Sequence, residues 1–227
     1  MNTSAKAGDY HPKMGVRDRF LTGLARQLGR PDGMRGRLVA RGLNRGNRGT
    51  VTAAVDATGV GSGQTAADIG FGGGVGLPLL LVRVLPGGHV HGVDLSDTML
   101  DRAKRRYRKE TLAGSLTLHA GSITALPLSD ESLDAAITVN TIYFVADLDQ
   151  AFTELARVLR PSGRVVVGLG DPAAMAKLPF TAHGFTLRPV EDVVASLTKA
   201  GLTILGHPRI GQGGGAYHLL VAGRTLS

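Results

Sequence analysis

Cysteine and tryptophan are both absent from the 227 residues, and aromatic residues make up only 4% of the chain. Without cysteine the chain can form no disulfide, thiolate zinc site or cysteine nucleophile, which fits a reducing compartment. With so few aromatic residues, the core must consist mainly of leucine, valine, isoleucine and alanine. A chain of this length can bury such a core as one domain, with or without an extension.

Long apolar runs are also missing from the sequence. The first thirty residues contain no apolar stretch of the signal-peptide type, and nowhere do 18 apolar residues follow one another. We therefore expect a soluble, cytoplasmic protein without stable membrane association.

Acidic residues are scarce at the N-terminal end of the sequence. Residues 1–48 hold eleven Lys or Arg against three Asp, a surplus equal to the net charge of +8 of the whole chain. Such a segment can bind a nucleic acid, an anionic membrane surface or an acidic substrate. An arginine-rich, solvated leader is the simpler interpretation, and on it we expect no nucleic-acid partner.

The pattern of the chain changes at about residue 58. Residues 1–58 carry short helical patterns interrupted by glycines, and we interpret them as a basic helical extension or lid. Its last helix is predicted to begin with Thr50 as N-cap and to end at Gly59. Residues 59–227 alternate strands with helices, which favours an α/β domain with a parallel sheet.

Residues 65–76 predict a buried strand, a glycine loop and the start of a helix. A strand that turns into a helix over glycines brings bare backbone and the helix N-terminus up to a ligand. Neither glycine register fits the dinucleotide fingerprint G-x-G-x-x-G. The stretch does fit D-x-G-x-G-x-G, through Asp68, Gly70, Gly72 and Gly74.

This spacing resembles the first motif of the class I methyltransferases that use S-adenosylmethionine. In that setting the glycines leave room for an amino acid and a ribose, and an acid near the loop helps to hold the ammonium group of methionine. An ordinary glycine-rich turn between a strand and a helix is the alternative, because short motifs also occur by chance.

A second acid lies at the end of the next predicted strand, His89–Asp94, and Asp94 follows Gly70 by 24 residues. The tip of a strand beside a glycine loop is where ligands bind in open α/β sheets. We expect Asp94 to accept hydrogen bonds from both ribose hydroxyls, with Leu95 and Met99 near the adenine. A helix N-terminal acid that interacts with the helix dipole is the alternative.

The resemblance extends over about residues 60–170 and is to the group that includes the ubiquinone and menaquinone C-methyltransferases (methyltransferase type 11). Besides the glycine loop and Val93-Asp94, four segments carry it: Gly121-Ser122-Ile123, Leu126-Pro127, Leu133-Asp134-Ala135-Ala136-Ile137 and Val158-Leu159-Arg160-Pro161-Ser162-Gly163. It implies a Rossmann-like three-layer sandwich with a seven-stranded, mostly parallel sheet. The residues Ala216–Ala222 would form its antiparallel edge strand.

The resemblance also implies which residues contact the cofactor S-adenosylmethionine and its product S-adenosylhomocysteine. The residue that matches Ser122 is usually an acid that binds the adenine amino group, so recognition here is expected to use the backbone of Ile123 as well. Asn140 would lie where methyl donor and acceptor meet. The expected cofactor residues are Asp68, Gly70, Phe71, Gly72, Gly74, Asp94, Leu95, Met99, Ser122, Ile123 and Asn140.

Residues for the methyl acceptor are harder to find in the sequence. The segment 170–188 is long for a connection between a strand and a helix, which indicates a functional loop. We expect contacts to the acceptor from Asn44, Asn47, Tyr143, Phe180 and Phe185. A catalytic base is needed only if the acceptor loses a proton, and the candidates are His183, Tyr143 and His11. A structural role is the alternative for each.

Three functions remain open at this level. The first is a methyltransferase for O- or C-methylation of a small molecule, acting as a monomer or homodimer. The second is an RNA or protein methyltransferase that uses the basic leader, and the third is a non-catalytic S-adenosylmethionine-binding protein. His89 and His91 share one face of a strand, but no third metal ligand is evident, and we expect no metal site.

Overall fold

The computed structural model describes residues 48–211 and 216–224. The helices are α1 (residues 48–58), α2 (Gly76–Val84), α3 (Asp97–Arg106), α4 (Arg108–Leu112), α5 (Leu148–Val158), α6 (Pro172–Met175) and α7 (Val190–Lys199). The strands are β1 (Thr65–Ile69), β2 (His89–Asp94), β3 (Leu116–Ala120), β4 (Leu133–Val139), β5 (Leu159–Gly170), β6 (Leu202–Gly206), β7 (Arg209–Ile210) and β8 (Tyr217–Arg224). Two 3-10 turns, Ile142–Phe144 and Pro179–Ala182, complete these elements.

The strands form one sheet in the order β3-β2-β1-β4-β5-β8-β6, and the two-residue strand β7 pairs with β8. Strands β1 to β5 pair in parallel, whereas β8 is antiparallel to both β5 and β6. Strand order reverses between β1 and β4, which opens a crevice at the carboxyl ends of these strands.

Helices cover both faces of the sheet. On one face α5 and α7 pack through a core that includes Phe152 and Leu155, both fully buried. On the other face α1, α2 and α3 enclose a second core around Leu77, Leu80 and Met99. The predicted Rossmann-like three-layer sandwich is confirmed.

The apolar spacing of the sequence explains why α5 forms and which face it buries. Its buried residues are Leu148, Ala151, Phe152, Leu155 and Val158, which recur at helical intervals. Asp147 caps its N-terminus, where the carboxylate accepts a hydrogen bond of 2.9 Å from the backbone N–H of Gln150.

Three details differ from the sequence-based expectation. The antiparallel strand lies one place inside the edge, because β6 covers it, and six consecutive buried residues of β8 show that it is an interior strand. The sequence from Asp97 to about Glu110 predicts one helix, but the structure divides it at Tyr107, whose hydroxyl donates to the carbonyl of Gly74 at 2.9 Å. Thr50 is not an N-cap, since α1 already includes residues 48 and 49.

The connection between β3 and β4 contains no helix and is held by the side chain of Arg157. Its guanidinium donates to the carbonyls of Leu126 and Leu128 at 3.1 and 2.9 Å and pairs with Glu154 and Asp130. Glu154 in turn accepts the backbone N–H of Leu126 at 2.7 Å. This network fixes the path of the segment that follows β3.

None of the described helices is long and apolar enough to cross a membrane.

Replacing Arg157 with methionine is expected to lower the free energy of unfolding by about 2 kcal/mol, because two carbonyls and two carboxylates lose a charged donor. Urea unfolding measures the change. Arg83→Met is the matched control: its ion pair with Asp56 is half exposed, so the loss should stay below about 1 kcal/mol. Equal losses in the two variants would contradict the role of Arg157.

Candidate functional site

A cavity of about 560 Å³ opens at the carboxyl ends of β1, β2, β3 and β4. This volume is within the usual range for small-molecule sites. The lining comes from the glycine loop, from the ends of β2 and β3, and from the segment between β4 and α5, to which α1 adds Val51. The crevice of the sheet and the cavity are therefore the same place.

The glycine loop is tied by its backbone to the end of β2. The N–H of Gly70 donates to the carbonyl of Val93 at 2.7 Å, and Gly70 has a φ of +73°, which favours glycine. A Cβ at Gly70 would also lie 2.5 Å from the hydroxyl of Thr141, so a larger residue would push the loop off β4. Gly72 also has a positive φ, of +47°.

The carboxylate of Asp94 organises the same corner. One of its oxygens accepts the N–H of Gly72 at 2.7 Å, and the other accepts the N–H of Ser96 at 2.8 Å. Burial raises the pKa of Asp94, and these backbone N–H groups offset part of that rise. Because each carboxylate oxygen has two lone pairs, both can accept a further hydrogen bond from a ligand.

Asp68 lies in the same cavity, in β1 below the start of α2. It is 5% exposed, and burial together with the nearby charge of Asp94 raises its pKa to about 8, against a smaller opposing effect of the Gly76 N–H. A Cβ at Gly76 would come within 2.4 Å of its carboxylate, so only glycine allows this approach. In the described part of the chain no cation pairs with Asp68, which makes it a ready site for a cationic ligand group.

The loop after β3 adds polar groups at the far end of the cavity. The Ser122 hydroxyl accepts the N–H of Thr124 at 3.2 Å and shares a hydrogen bond of 2.7 Å with the Thr124 hydroxyl. Across the cavity, the side-chain amide of Gln150 donates to the carbonyl of Thr124 at 3.4 Å. The wall after β3 and the start of α5 are thus in contact.

Asn140 terminates β4 in an unusual backbone conformation. Its φ is +60°, a left-handed value that asparagine tolerates better than most residues, and its N–H donates to the carbonyl of Gly168 at 2.8 Å. Its side-chain amide reaches the Tyr217 hydroxyl at 3.5 Å. The turn places Asn140 in the cavity wall.

The segment between β4 and α5 is fastened from behind by Arg188. The guanidinium donates to the carbonyls of Ile142, Val145 and Ala146 at 3.1, 2.7 and 3.2 Å. Val145 and Ala146 line the cavity. The long connection after β5 therefore supports one wall of the site.

The structure brings nine of the eleven predicted cofactor residues to the cavity surface: Asp68, Gly70, Phe71, Gly72, Asp94, Leu95, Ser122, Ile123 and Asn140. The other two support it from behind. Met99 is buried in the core, and the carbonyl of Gly74 accepts the Tyr107 hydroxyl.

The predicted acceptor residues Tyr143, Phe180 and Phe185 form one aromatic cluster, but they do not line the cavity. Phe185 lies 5.5 Å from Tyr143 and 5.6 Å from Phe180, between ring centroids, and 4.7 Å from Phe144, which does line the cavity. The cluster thus reaches the cavity through Phe144.

The three candidate bases have different positions. Tyr143 is buried, accepts the N–H of Gly170 at 2.6 Å, and burial raises the pKa of its phenol, so the hydroxyl stays protonated at neutral pH. His183 does not line the cavity, and its backbone N–H donates to Phe180. His11, like the acceptor candidates Asn44 and Asn47, lies outside the described residues.

Sequence reasoning missed several cavity residues, which lie in α1, in the loop after β3, in the segment between β4 and α5 and in α5 itself. They include Val51, Thr124, Thr141, Phe144, Asp147 and Gln150. The pair Asn140-Thr141 was a usable signal, because polar residues directly after a buried strand often face a crevice. The others come from segments without a recognisable motif.

Two histidine groups lie outside the cavity. His91 and His119 approach to 3.0 Å between ring nitrogens, and the ring of His89 lies tilted against that of His91 at 4.5 Å between centroids. His207 contacts His218 beside Asp171. Over residues 48–211 and 216–224, no group of three or more His, Asp or Glu side chains has an arrangement that could hold a metal ion.

Comparison with known proteins gives a family match in the region that forms the cavity. Residues 67–167 match a family described as a methyltransferase domain. An uncharacterized 37.1 kDa protein in transposon TN4556 of Streptomyces fradiae is 42% identical over 117 residues, which are 52% of this chain and 33% of that protein. A demethylmenaquinone methyltransferase of Lactobacillus johnsonii is 35% identical over 104 residues, or 46% of this chain and 43% of that protein.

Among solved structures, the geranyl diphosphate C-methyltransferase of Streptomyces coelicolor superposes with a TM-score of 0.67. The match covers 88% of this chain and 87% of that chain at 19% identity, so it supports the fold alone. The chain spans less than half the length of either of the two curated relatives.

Asp68→Asn should change how stability depends on pH. Burial raises the pKa of Asp68 from 3.8 to about 8 in the folded protein, so the contribution of this residue to stability falls as pH rises from about 4 to 8. Asparagine has the same shape but does not titrate. We expect the variant to gain about 3–5 kcal/mol relative to the native protein between pH 4.5 and 8.5, measured by urea unfolding. A constant difference across this range would contradict the assignment.

Proposed function

We propose that this protein transfers the methyl group of S-adenosylmethionine to a small-molecule acceptor, because residues 67–167 match a family described as a methyltransferase domain. The observation that carries the proposal is the pair of buried carboxylates, Asp68 and Asp94, on either side of the glycine loop in a single cavity. Asp68 has no cationic partner among the described residues, and the oxygens of Asp94 have lone pairs that can accept further hydrogen bonds.

The residues present fit the cofactor. An ammonium group would offset the burial of the Asp68 charge, and two vicinal hydroxyls suit the two oxygens of Asp94, each already fixed by one backbone N–H. Gly72 has open space on its side-chain side, so backbone can approach a ligand. The cofactor supplies a methyl group on a positively charged sulfur, which is already activated for transfer.

The protein's own contribution is then to bind, orient and exclude water. Asp68 binds the amino-acid moiety and Asp94 binds the ribose. Asn140 and Thr141 form the wall at the carboxyl end of β4, where we place the acceptor. Orientation of this kind can supply roughly 7–11 kcal/mol of the barrier reduction in favourable cases. A base is required only for an acceptor that must lose a proton.

Acceptor binding involves the aromatic cluster around Phe185 and the leader before α1. A small-molecule acceptor agrees with the names of the demethylmenaquinone methyltransferase and the geranyl diphosphate C-methyltransferase. O- and C-methylation are both compatible with the cavity. We further propose a cytoplasmic protein that acts as a monomer or homodimer, without a nucleic-acid partner.

The basic leader favours one other candidate, an RNA or protein methyltransferase. Residues 1–48 hold all of the net positive charge, and an electrostatic arm would bind polyanions in a salt-dependent way. A third candidate binds the cofactor without turnover.

The direct test is a cofactor-release assay with the purified protein against quinones, phenols, sugars and lipids, read out by mass spectrometry of the methylated product and of S-adenosylhomocysteine. Methyl transfer to one of these classes supports the proposal. Turnover only with RNA or protein would favour the second candidate, and binding without turnover of any acceptor would favour the third.

Asp94→Asn keeps the shape of the side chain but removes one acceptor oxygen. We expect the affinity for S-adenosylhomocysteine to fall by roughly ten- to a hundredfold, because a hydrogen bond to a charged group is lost. Calorimetric titration measures this. Asp97→Asn, at an exposed position three residues along, is the control and should bind normally. Undiminished affinity in a folded Asp94→Asn protein would exclude the ribose assignment.

Removal of residues 1–47 tests whether the leader is a lid. Val51 of α1 lines the cavity, so the described structure begins beside the site. The positive charge of the leader suits a cavity that contains Asp68, Asp94 and Asp147. We expect the shortened protein to fold, to bind S-adenosylhomocysteine more weakly and to lose methyl transfer. Full activity on a small molecule, with loss only of salt-sensitive binding to RNA, would instead identify an electrostatic arm.

A further inference from the structure

The order of the strands sets the direction of the cofactor in the cavity, if the proposed function holds. Asp68, Asp94 and Ser122 belong to or follow β1, β2 and β3, which are successive neighbours in the sheet. Neighbouring strands lie about 4.8 Å apart. With the amino acid at Asp68 and the ribose at Asp94, the adenine lies between the loop after β3 and the start of α5.

Adenine presents an exocyclic amino group, which is a hydrogen-bond donor and needs an acceptor. The Ser122 hydroxyl is a weak candidate for this role, because it is a neutral acceptor and both of its hydrogen bonds go to Thr124. It accepts the N–H of Thr124 and shares a short hydrogen bond with the Thr124 hydroxyl. At most one lone pair of this neutral oxygen is left for the amino group, and a carboxylate oxygen accepts such a hydrogen bond more strongly.

Asp147 supplies a stronger acceptor on the opposite wall. It lines the cavity, and only one of its oxygens is engaged, with the N–H of Gln150. Its second oxygen has no partner in the described part of the chain. Gln150, one helical turn further along, contacts the loop after β3 through the carbonyl of Thr124, which brings this wall close to Ser122 and Ile123.

The nearby Lys199 interacts electrostatically with Asp147 but forms no ion pair with it. Lys199 forms its ion pair with Asp149, which also accepts the Ser196 hydroxyl at 2.5 Å. Asp147 therefore combines a structural role, as the N-cap of α5, with a carboxylate oxygen that faces solvent and the cavity.

We propose that Asp147 is the residue that recognises the adenine amino group, with its unengaged carboxylate oxygen as the acceptor. The inference rests on the proposed function and adds to it the residue that selects the base. Recognition at this position also joins the cofactor to α5, so that the base bridges the two walls of the cavity between the loop after β3 and the segment after β4.

The test compares the native full-length protein and its variants in calorimetric titrations with two ligands. One is S-adenosylhomocysteine, and the other is its 6-deamino analogue, in which the purine carries hydrogen at C6 and keeps its N1 acceptor. The native protein should prefer the amino compound by roughly ten- to a hundredfold, the range expected for a charge-assisted hydrogen bond.

Asp147→Ser is the informative variant, because serine keeps an N-cap while its shorter side chain withdraws the acceptor from the cavity. It should reduce the preference to less than about threefold and leave the affinity for the deamino analogue unchanged. Comparing both proteins with both ligands isolates the interaction energy between residue 147 and the amino group. Ser122→Ala tests the competing acceptor: it changes the affinity for both ligands alike and should leave the ratio of the two affinities at its native value. Asp147→Asn, which keeps both the cap and an oxygen acceptor, should be intermediate.

Two results would overturn the inference. One is a preference that survives in Asp147→Ser and disappears in Ser122→Ala, which would assign the contact to the loop after β3. The other is native protein that binds both ligands equally well. Failure of the native protein to bind S-adenosylhomocysteine at all would instead refute the proposed function, so the two ideas fail separately.

Discussion

The site depends on the hydrogen bonds that join the glycine loop to the end of β2. Gly70 donates to the Val93 carbonyl and Gly72 donates to the Asp94 carboxylate, so the backbone of one βα unit is fixed against the next. These bonds bring two carboxylates into one poorly solvated corner, which is electrostatically unfavourable while no cation is present. A local cost of this kind is common at functional sites, where the rest of the fold supplies the stability that keeps the arrangement in place.

Much of this fold could be predicted from local patterns. The bounds of β1, β2, β4 and α7 follow directly from apolar runs and turn residues, and the glycine loop with Asp94 identifies the place of the cavity. Local patterns do not predict structural features that depend on a contact between residues far apart in the sequence. Tyr107 divides a continuous helical pattern because its hydroxyl reaches Gly74, and β8 is interior because β6 pairs with its far side.

The part of the site that the sequence does not reveal is the segment between β4 and α5. Thr141, Phe144 and Asp147 belong to no motif, and the segment that carries them is held by the hydrogen bonds of Arg188 to three of its carbonyls. That contact joins residues more than forty positions apart. Asp147 has an obvious local function as a helix cap, and its position on the cavity wall depends on the packing of α5 against the loop after β3. A residue with one evident role can therefore have a second role that its sequence context does not reveal.

The position of β8 has a consequence for the order in which the molecule assembles. Strand β6 is made before β8, yet in the described sheet it pairs only with β8, which lies between it and β5. During synthesis β6 has no native pairing partner until β8 has inserted beside β5. Closing that pair requires contacts across about fifty residues, and long-range strand pairing is slow compared with helix formation. A nascent chain that pauses before β8 would thus present an exposed β5 edge, a surface on which chaperones or other chains could act.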